Sequence, residues 1–143
     1  MMGCAMARLR SLAHKAGSLG MPIRSHTELI VWRKAVDLVE IVYDLTRSFP
    51  SDERFGLVSQ LRRAAVSVPA NIAEGHGRMT RGEFLNQLSV ARGSLNEITT
   101  LFTVSERLGF ADAEALAAAS HHADEVGRML TSMQRRLREQ RHK

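Results

Sequence analysis

Two stretches of this chain repeat an apolar side chain in alternating three- and four-residue steps, and nothing else in the sequence restricts its fold as much. The first seam is Phe84, Leu88, Ala91, Leu95, Ile98, Phe102 and Ser105, apolar at six of seven positions. The second is Leu116, Ala119, Ala123, Val126, Leu130, Met133 and Leu137, apolar at all seven. A period of 3.5 residues puts each seam on one side of an α-helix, and a helix with such a seam must bury it against partners. Alternating strands are excluded, because a two-residue period would scatter the same side chains over both faces of a sheet.

Two further helices precede these. Ser25 and Glu28 have capping-box spacing and predict a helix from there to about Ser48. Its stripe is Trp32, Val36, Val39, Tyr43 and Thr46, widened by Leu38, Ile41 and Leu45. Phe49-Pro50 stops it, since the residue before proline is pushed out of the α region. Ser51 is the expected next N-cap, with Asp52 and Glu53 suited to the positive helix end. The second helix then carries Val58, Leu61, Ala65, Val68 and Ile72 on one seam. Pro69 lies inside it and predicts a kink, and Gly75 and Gly77 are expected to end it. Thr80 and Glu83 form a capping box for the third helix, Gly109 closes it, and Asp112 caps the fourth. Four such helices with short connections predict an all-α, antiparallel up-down four-helix bundle with its second helix kinked at Pro69.

Composition removes several function classes. The single cysteine, Cys4, rules out an internal disulfide framework and a cysteine-cluster zinc site. No apolar run approaches the roughly 20 residues needed to cross a bilayer, so no membrane partner is expected and the chain reads as cytoplasmic. Net charge is +5, and arginine outnumbers lysine 17 to 3. The charge is uneven: residues 1–27 contain Arg8, Arg10, Lys15 and Arg24 and no acid, residues 28–127 are net −4, and residues 128–143 are net +5. Basic ends of this kind suit nucleic acid or an anionic surface, and equally suit solvated tails. Residues 1–24 are read as a flexible basic extension, with Met21 the natural beginning, residues 25–138 as the bundle, and residues 139–143 as a basic tail.

Polar residues then offer three readings. Ser67, Asn71 and Glu74 share a face of the second helix, and Ser94 and Glu97 on the third are plausible partners. This is either a polar site within the bundle or, as favoured here, a structural hydrogen-bonded network that fixes register around Pro69. An enzyme is disfavoured. There is no Glu-x-x-His for a di-iron site, no nucleophile elbow and no phosphate-binding glycine loop. His121 and Glu125 are spaced i, i+4, but a solvated face explains them better than a metal, so no metal or cofactor is assigned. Nucleic-acid binding would have to be electrostatic, through Arg62, Arg63, Arg78 and Arg81 and through Arg135, Arg136, Arg138 and Arg141.

The run Gln60 to Gly75, reading QLRRAAVSVPANIAEG, resembles the hallmark of the 23S rRNA-intervening-sequence proteins, a family of small bacterial four-helix bundles. Leu29 to Ala35, Tyr43-Asp44-Leu45-Thr46, Phe49-Pro50, Glu53 to Leu57, Gly77-Arg78, Phe84-Leu85 and Gly93 to Glu97 resemble it as well, covering about residues 27–135. The resemblance implies a ring-shaped homopentamer. Some members are encoded within insertions of the large-subunit ribosomal RNA gene. Relatives serve diversity-generating retroelements, where a basic pentamer binds nucleic acid and a reverse transcriptase. No catalytic residues carry over. The expected function is thus a non-enzymatic, oligomeric bundle that binds structured RNA or DNA through arginine patches; the alternative is an adaptor ring that recruits a protein partner such as a reverse transcriptase. The 1–24 extension departs from the family's compact start.

Overall fold

The computed structural model of the chain describes residues 25–26 and 29–140. Expectations for residues 1–24, for Glu28 and for Arg141 lie outside the described residues. Four α-helices carry the fold: α1 (Ile30–Thr46), α2 (Leu57–His76), α3 (Arg81–Arg107) and α4 (Ala113–Glu139), with one 3-10 turn at Ser51–Glu53. No strand occurs among the described residues. Each helix packs on the next and α4 packs on α1, so the four surround one core, with α2 against α3 the most extensive contact.

The α1 helix starts later than its sequence suggests. Its N-cap is Leu29, buried and extended, with no side-chain cap. The Ser25–Glu28 spacing therefore does not head the helix; the chain enters by anchoring an apolar residue in the core. The expected stripe is also displaced. Val31, Ala35, Leu38, Val42 and Leu45 are buried together with Thr46, whereas Trp32 and Val39 pack only at the core's edge and Tyr43 is exposed. The cause is that α1 is apolar over a broad face, so two adjacent stripes satisfy the helical period and the neighbouring helices select between them. The smaller stripe, Val31 and Ala35, is the one that lets α1 approach. Thr46 is tolerated inside because its hydroxyl donates to the Val42 carbonyl at 2.7 Å.

Ser51 does not cap α2. It opens the 3-10 turn, and α2 begins six residues later, where the Glu53 carboxylate accepts from the Leu57 amide at 3.1 Å. The acidic side chain satisfies one of the helix's orphan donors from outside and lies at its positive end. The α2 seam of Val58, Leu61, Ala65, Val68 and Ile72 is buried throughout, joined by Ala64 and Pro69. The helix is continuous through Pro69. Gly75 does not stop it: α2 continues to His76 and Gly77 is the C-cap. Gly75 instead permits close approach, because a Cβ there would lie 2.8 Å from both the Gln87 Cβ and the Phe84 Cδ2 of α3.

At Thr80 the capping box is present in both directions, with the Glu83 amide donating to the threonine hydroxyl at 3.2 Å and the Thr80 amide to the Glu83 carboxylate at 3.3 Å. Leu88, Ala91, Leu95, Ile98, Phe102 and Ser105 are buried as their spacing requires, with Leu101 added and Phe84 packed at the edge. Gly109 adopts φ +72°, the one left-handed residue among those described. The Gly109 amide donates to Glu106 and the Phe110 amide to Ser105, both at 3.0 Å. These are the paired bonds of a Schellman ending, a conformation that costs glycine little. Asp112 takes the N-cap position of α4, but its side chain makes no capping bond. Leu116, Ala119, Ala123, Val126 and Leu130 are buried in α4; toward its end Met133 and Leu137 lie at the core's edge and Gln134 is buried instead.

Candidate nucleic-acid interface

Arginines named from the sequence occupy unlike environments. Arg62 is half-buried between α1 and α2: its Nε donates to the Thr46 hydroxyl at 3.0 Å, and its guanidinium lies over the Tyr43 ring, 4.4 Å from the centroid. That pairing closes the polar edge of the α1–α2 contact and leaves Arg62 poorly placed to meet a ligand. Arg78 is held by Glu74, one turn earlier, and the bond and charge of that carboxylate hold the guanidinium protonated still more firmly. Arg63 and Arg81 are exposed and make no ion pair among the described residues. Arg81 stands in the first turn of α3, where the helix end is already positive. A cation there loses roughly 0.3–1 kcal/mol against a neutral residue, so Arg81 does not serve the stability of its helix.

The basic end of the chain is helical through Arg138, and the helix divides its charges. Arg135 faces the groove between α3 and α4, whereas Arg136, one position on, turns toward α1 beside Leu29 and Ile30. Arg138 is exposed.

The five polar residues proposed as one network do not meet as one. Ser67 and Ser94 are joined hydroxyl to hydroxyl across α2 and α3. Asn71 donates to the Ser67 carbonyl of its own helix at 2.7 Å. Glu74 turns outward to Arg78, and Glu97 is exposed on α3. The i, i+4, i+7 spacing correctly puts three of them on one side of α2, but that side spans both the α3 contact and solvent.

Sequence reasoning passed over a better-connected polar cluster. Gln134, almost completely buried, accepts from Arg92 Nη1 at 3.1 Å and donates through Nε2 to the Ser89 hydroxyl at 3.0 Å, with the Leu85 carbonyl at 3.4 Å. Its signal in the sequence is the 126–130–134 spacing, which continues the α4 seam in four-residue steps and ends on a polar residue. Beside this cluster a groove of about 620 Å³ runs between α3 and α4, with Arg92, Arg128 and Arg135 on its walls and Asp124 as its carboxylate. On the other side of α4, Glu125 takes an ion pair from Lys34 at 2.8 Å, and the His122 ring nitrogen meets the Lys34 carbonyl at 2.9 Å. The Lys34 hydrogen bond holds the Glu125 carboxyl below its ordinary value, against a smaller opposing effect of burial. His121 is exposed, and no group of three His, Cys, Asp or Glu side chains among the described residues is placed to hold a metal ion. No described helix is long and apolar enough to cross a membrane.

Comparison with known proteins adds a family and a fold. The family model described as 23S rRNA-intervening sequence protein matches residues 27–132. A crystal structure of a protein of unknown function from the S23 ribosomal protein family, from Bacteroides thetaiotaomicron, superposes with a TM-score of 0.69 at 21% identity. The match covers 74% of this chain and 96% of that one, and at that identity it speaks to the fold alone. A search of curated proteins finds no match.

Proposed function

The chain belongs to the 23S rRNA-intervening sequence protein family, and from that premise we propose that it is a non-enzymatic, self-associating bundle that binds structured RNA through exposed arginines in the cytoplasm. The observation that carries this reading is the set of guanidinium groups with no structural task. Arg63, Arg81, Arg128, Arg135, Arg136 and Arg138 are all exposed, and none makes an ion pair among the described residues. Arginine forks fit phosphate oxygens bidentately, and affinity gained in this way depends on releasing counterions rather than on reading bases. The four helices and their short connections include no reading motif for base edges, which suits recognition by charge and shape.

Self-association draws support from the apolar side chains that one copy leaves in water. Ile30, Tyr43, Val66 and Val90 are exposed on helix surfaces, and Phe55 and Met79 stand at 88% and 96% exposure in the connections. The same feature favours the second reading, an adaptor ring that recruits a protein partner such as a reverse transcriptase.

Fluorescence anisotropy of a structured RNA titrated with the full chain at a series of salt concentrations tests the proposal, with light scattering to count copies. Binding that weakens steeply with salt supports it. No measurable RNA binding at low salt removes it in favour of the adaptor. A purely monomeric chain at all concentrations removes the ring from both readings.

A further inference from the structure

We propose that the groove between α3 and α4 is a phosphodiester site, in which Arg92, Arg128 and Arg135 hold the backbone of a nucleic acid. The inference rests on the RNA-binding reading above and assigns it a place. Three arginines line one concavity together with a single carboxylate residue, Asp124. That local balance is positive: Arg92 comes from the net-acidic stretch 28–127, and Arg128 and Arg135 come from the basic end of the chain. Arg63 and Arg81, by contrast, are far apart. Ser67 stands opposite Ser94 and Gly75 beside Phe84 and Gln87, so Arg63 lies level with the region of Ile98 and roughly 25 Å along the bundle from Arg81.

The three groove arginines come from two helices. Arg128 and Arg135 are seven residues apart on α4, which is two turns on one face and about 10 Å of rise. Arg92 approaches from α3, tied at the level of Gln134. Its Nη1 bond to Gln134 uses one of five guanidinium N–H donors, and the remaining ones are available to a ligand. Gln134 is anchored from behind by Ser89. A glutamine is a costly residue to bury unless its amide is satisfied. Here its bonds fix a guanidinium at the groove wall, and a side chain already held in place loses less freedom on binding phosphate.

Other features suit an anion. Asn96, Thr131 and Ser132 add neutral donors along the walls, and none of them brings a negative charge. Leu95, Ala123 and Gly127 also line the groove, and a Cβ on Gly127 would stand 3.1 Å from Leu95 Cδ2, so α3 and α4 lie close together there. A repeated monoanion with bidentate oxygens fits three spaced guanidiniums better than a single small anion would.

The test compares two double variants of the full chain on a fluorescently labelled RNA hairpin: Arg128→Ala with Arg135→Ala in the groove, and Arg63→Ala with Arg81→Ala away from it. All four side chains are exposed and make no ion pair among the described residues, so circular dichroism and the unfolding midpoint are expected to match wild type. The groove variant is expected to lose tenfold or more in affinity and to reduce the slope of log K against log salt by about 1.5–2, as two lost phosphate contacts require. The other variant is expected to lose distinctly less. Gln134→Leu, which keeps every arginine, is expected to lose affinity with little change in the slope, as a positioning residue would. A groove variant that binds like wild type, or no worse than the Arg63/Arg81 variant, overturns the groove while leaving RNA binding intact. A wild-type chain that binds no RNA overturns both. Should the groove variant unfold, Arg128→Lys with Arg135→Lys keeps the charge but not the fork and is expected to lose affinity; unchanged affinity in both this variant and Gln134→Leu would overturn the proposal.

Discussion

Replacing Gly75 by alanine is expected to destabilise the protein, although the same change in most helices does the opposite. Within a helix, glycine to alanine gains about 1 kcal/mol because alanine gives up less backbone freedom. Gly75 lies in the last turn of α2, where that gain is smaller, and its new Cβ would come within 2.8 Å of Gln87 Cβ and Phe84 Cδ2. Ordinary carbon contacts lie at about 3.5–4.0 Å, so a shift approaching 1 Å is needed. Phe84 can turn aside, but the Gln87 Cβ is fixed to the α3 backbone, so α2 and α3 must separate. Overpacking of this kind costs about 1–3 kcal/mol, and the net expectation is a loss of about 1 kcal/mol. Gly93, in the middle of α3, provides the internal contrast, since a Cβ there meets nothing within 4 Å. Gly93→Ala is expected to stabilise by about 0.5–1 kcal/mol. The two variants should thus move the thermal midpoint in opposite directions, by about 4 °C per kcal/mol for a domain of this size. Scans at one fixed protein concentration keep self-association from entering the difference. A Gly75→Ala variant that matches or exceeds Gly93→Ala in stability would mean that α2 and α3 do not approach so closely.

Three other outcomes follow from the same contacts. Leu95→Ala removes a buried side chain between α3 and α4 and is expected to cost about 2–5 kcal/mol in denaturant unfolding; a cost near zero would contradict its core position. Thr80→Ala breaks the capping box and is expected to cost about 1 kcal/mol, with the loss confined to the start of α3 in hydrogen exchange. Because Lys34 depresses the Glu125 carboxyl, this pair contributes stability above the ordinary glutamate value of 4.5, and the contribution disappears as pH falls through the lower, folded-state value. Lys34→Gln is expected to return the Glu125 titration toward its ordinary value by carbon-detected NMR; an unmoved titration would show that the pair does not form in solution.

Local chemistry was legible at the two ends of α3, whereas Ser25, Ser51 and Asp112 make no side-chain helix cap. The Thr80–Glu83 box and the Gly109 ending depend on bonds between residues a few positions apart, so their signals are complete within a short window. The α2 and α3 seams were legible as well, because each of those helices has a narrow apolar stripe and therefore a single way to face the core. On α1 the apolar face is broad, and only its neighbours decide that Val31, Ala35 and Leu38 turn inward while Trp32 stays at the core's edge and Tyr43 remains exposed. Gly75 shows the same limit: glycine reads as a helix stop in isolation, and its use as a contact point exists only once α3 lies against it. Gln134 and the pairing of Arg62 with Tyr43 depend on partners far away in the chain, and the groove with Arg92, Arg128 and Arg135 is assembled from two helices. Periodicity therefore specifies which elements form, because it acts within one helix. Which side chains meet, and which arginines share a groove, is set by how those helices dock, an outcome of packing that no single stretch of sequence contains.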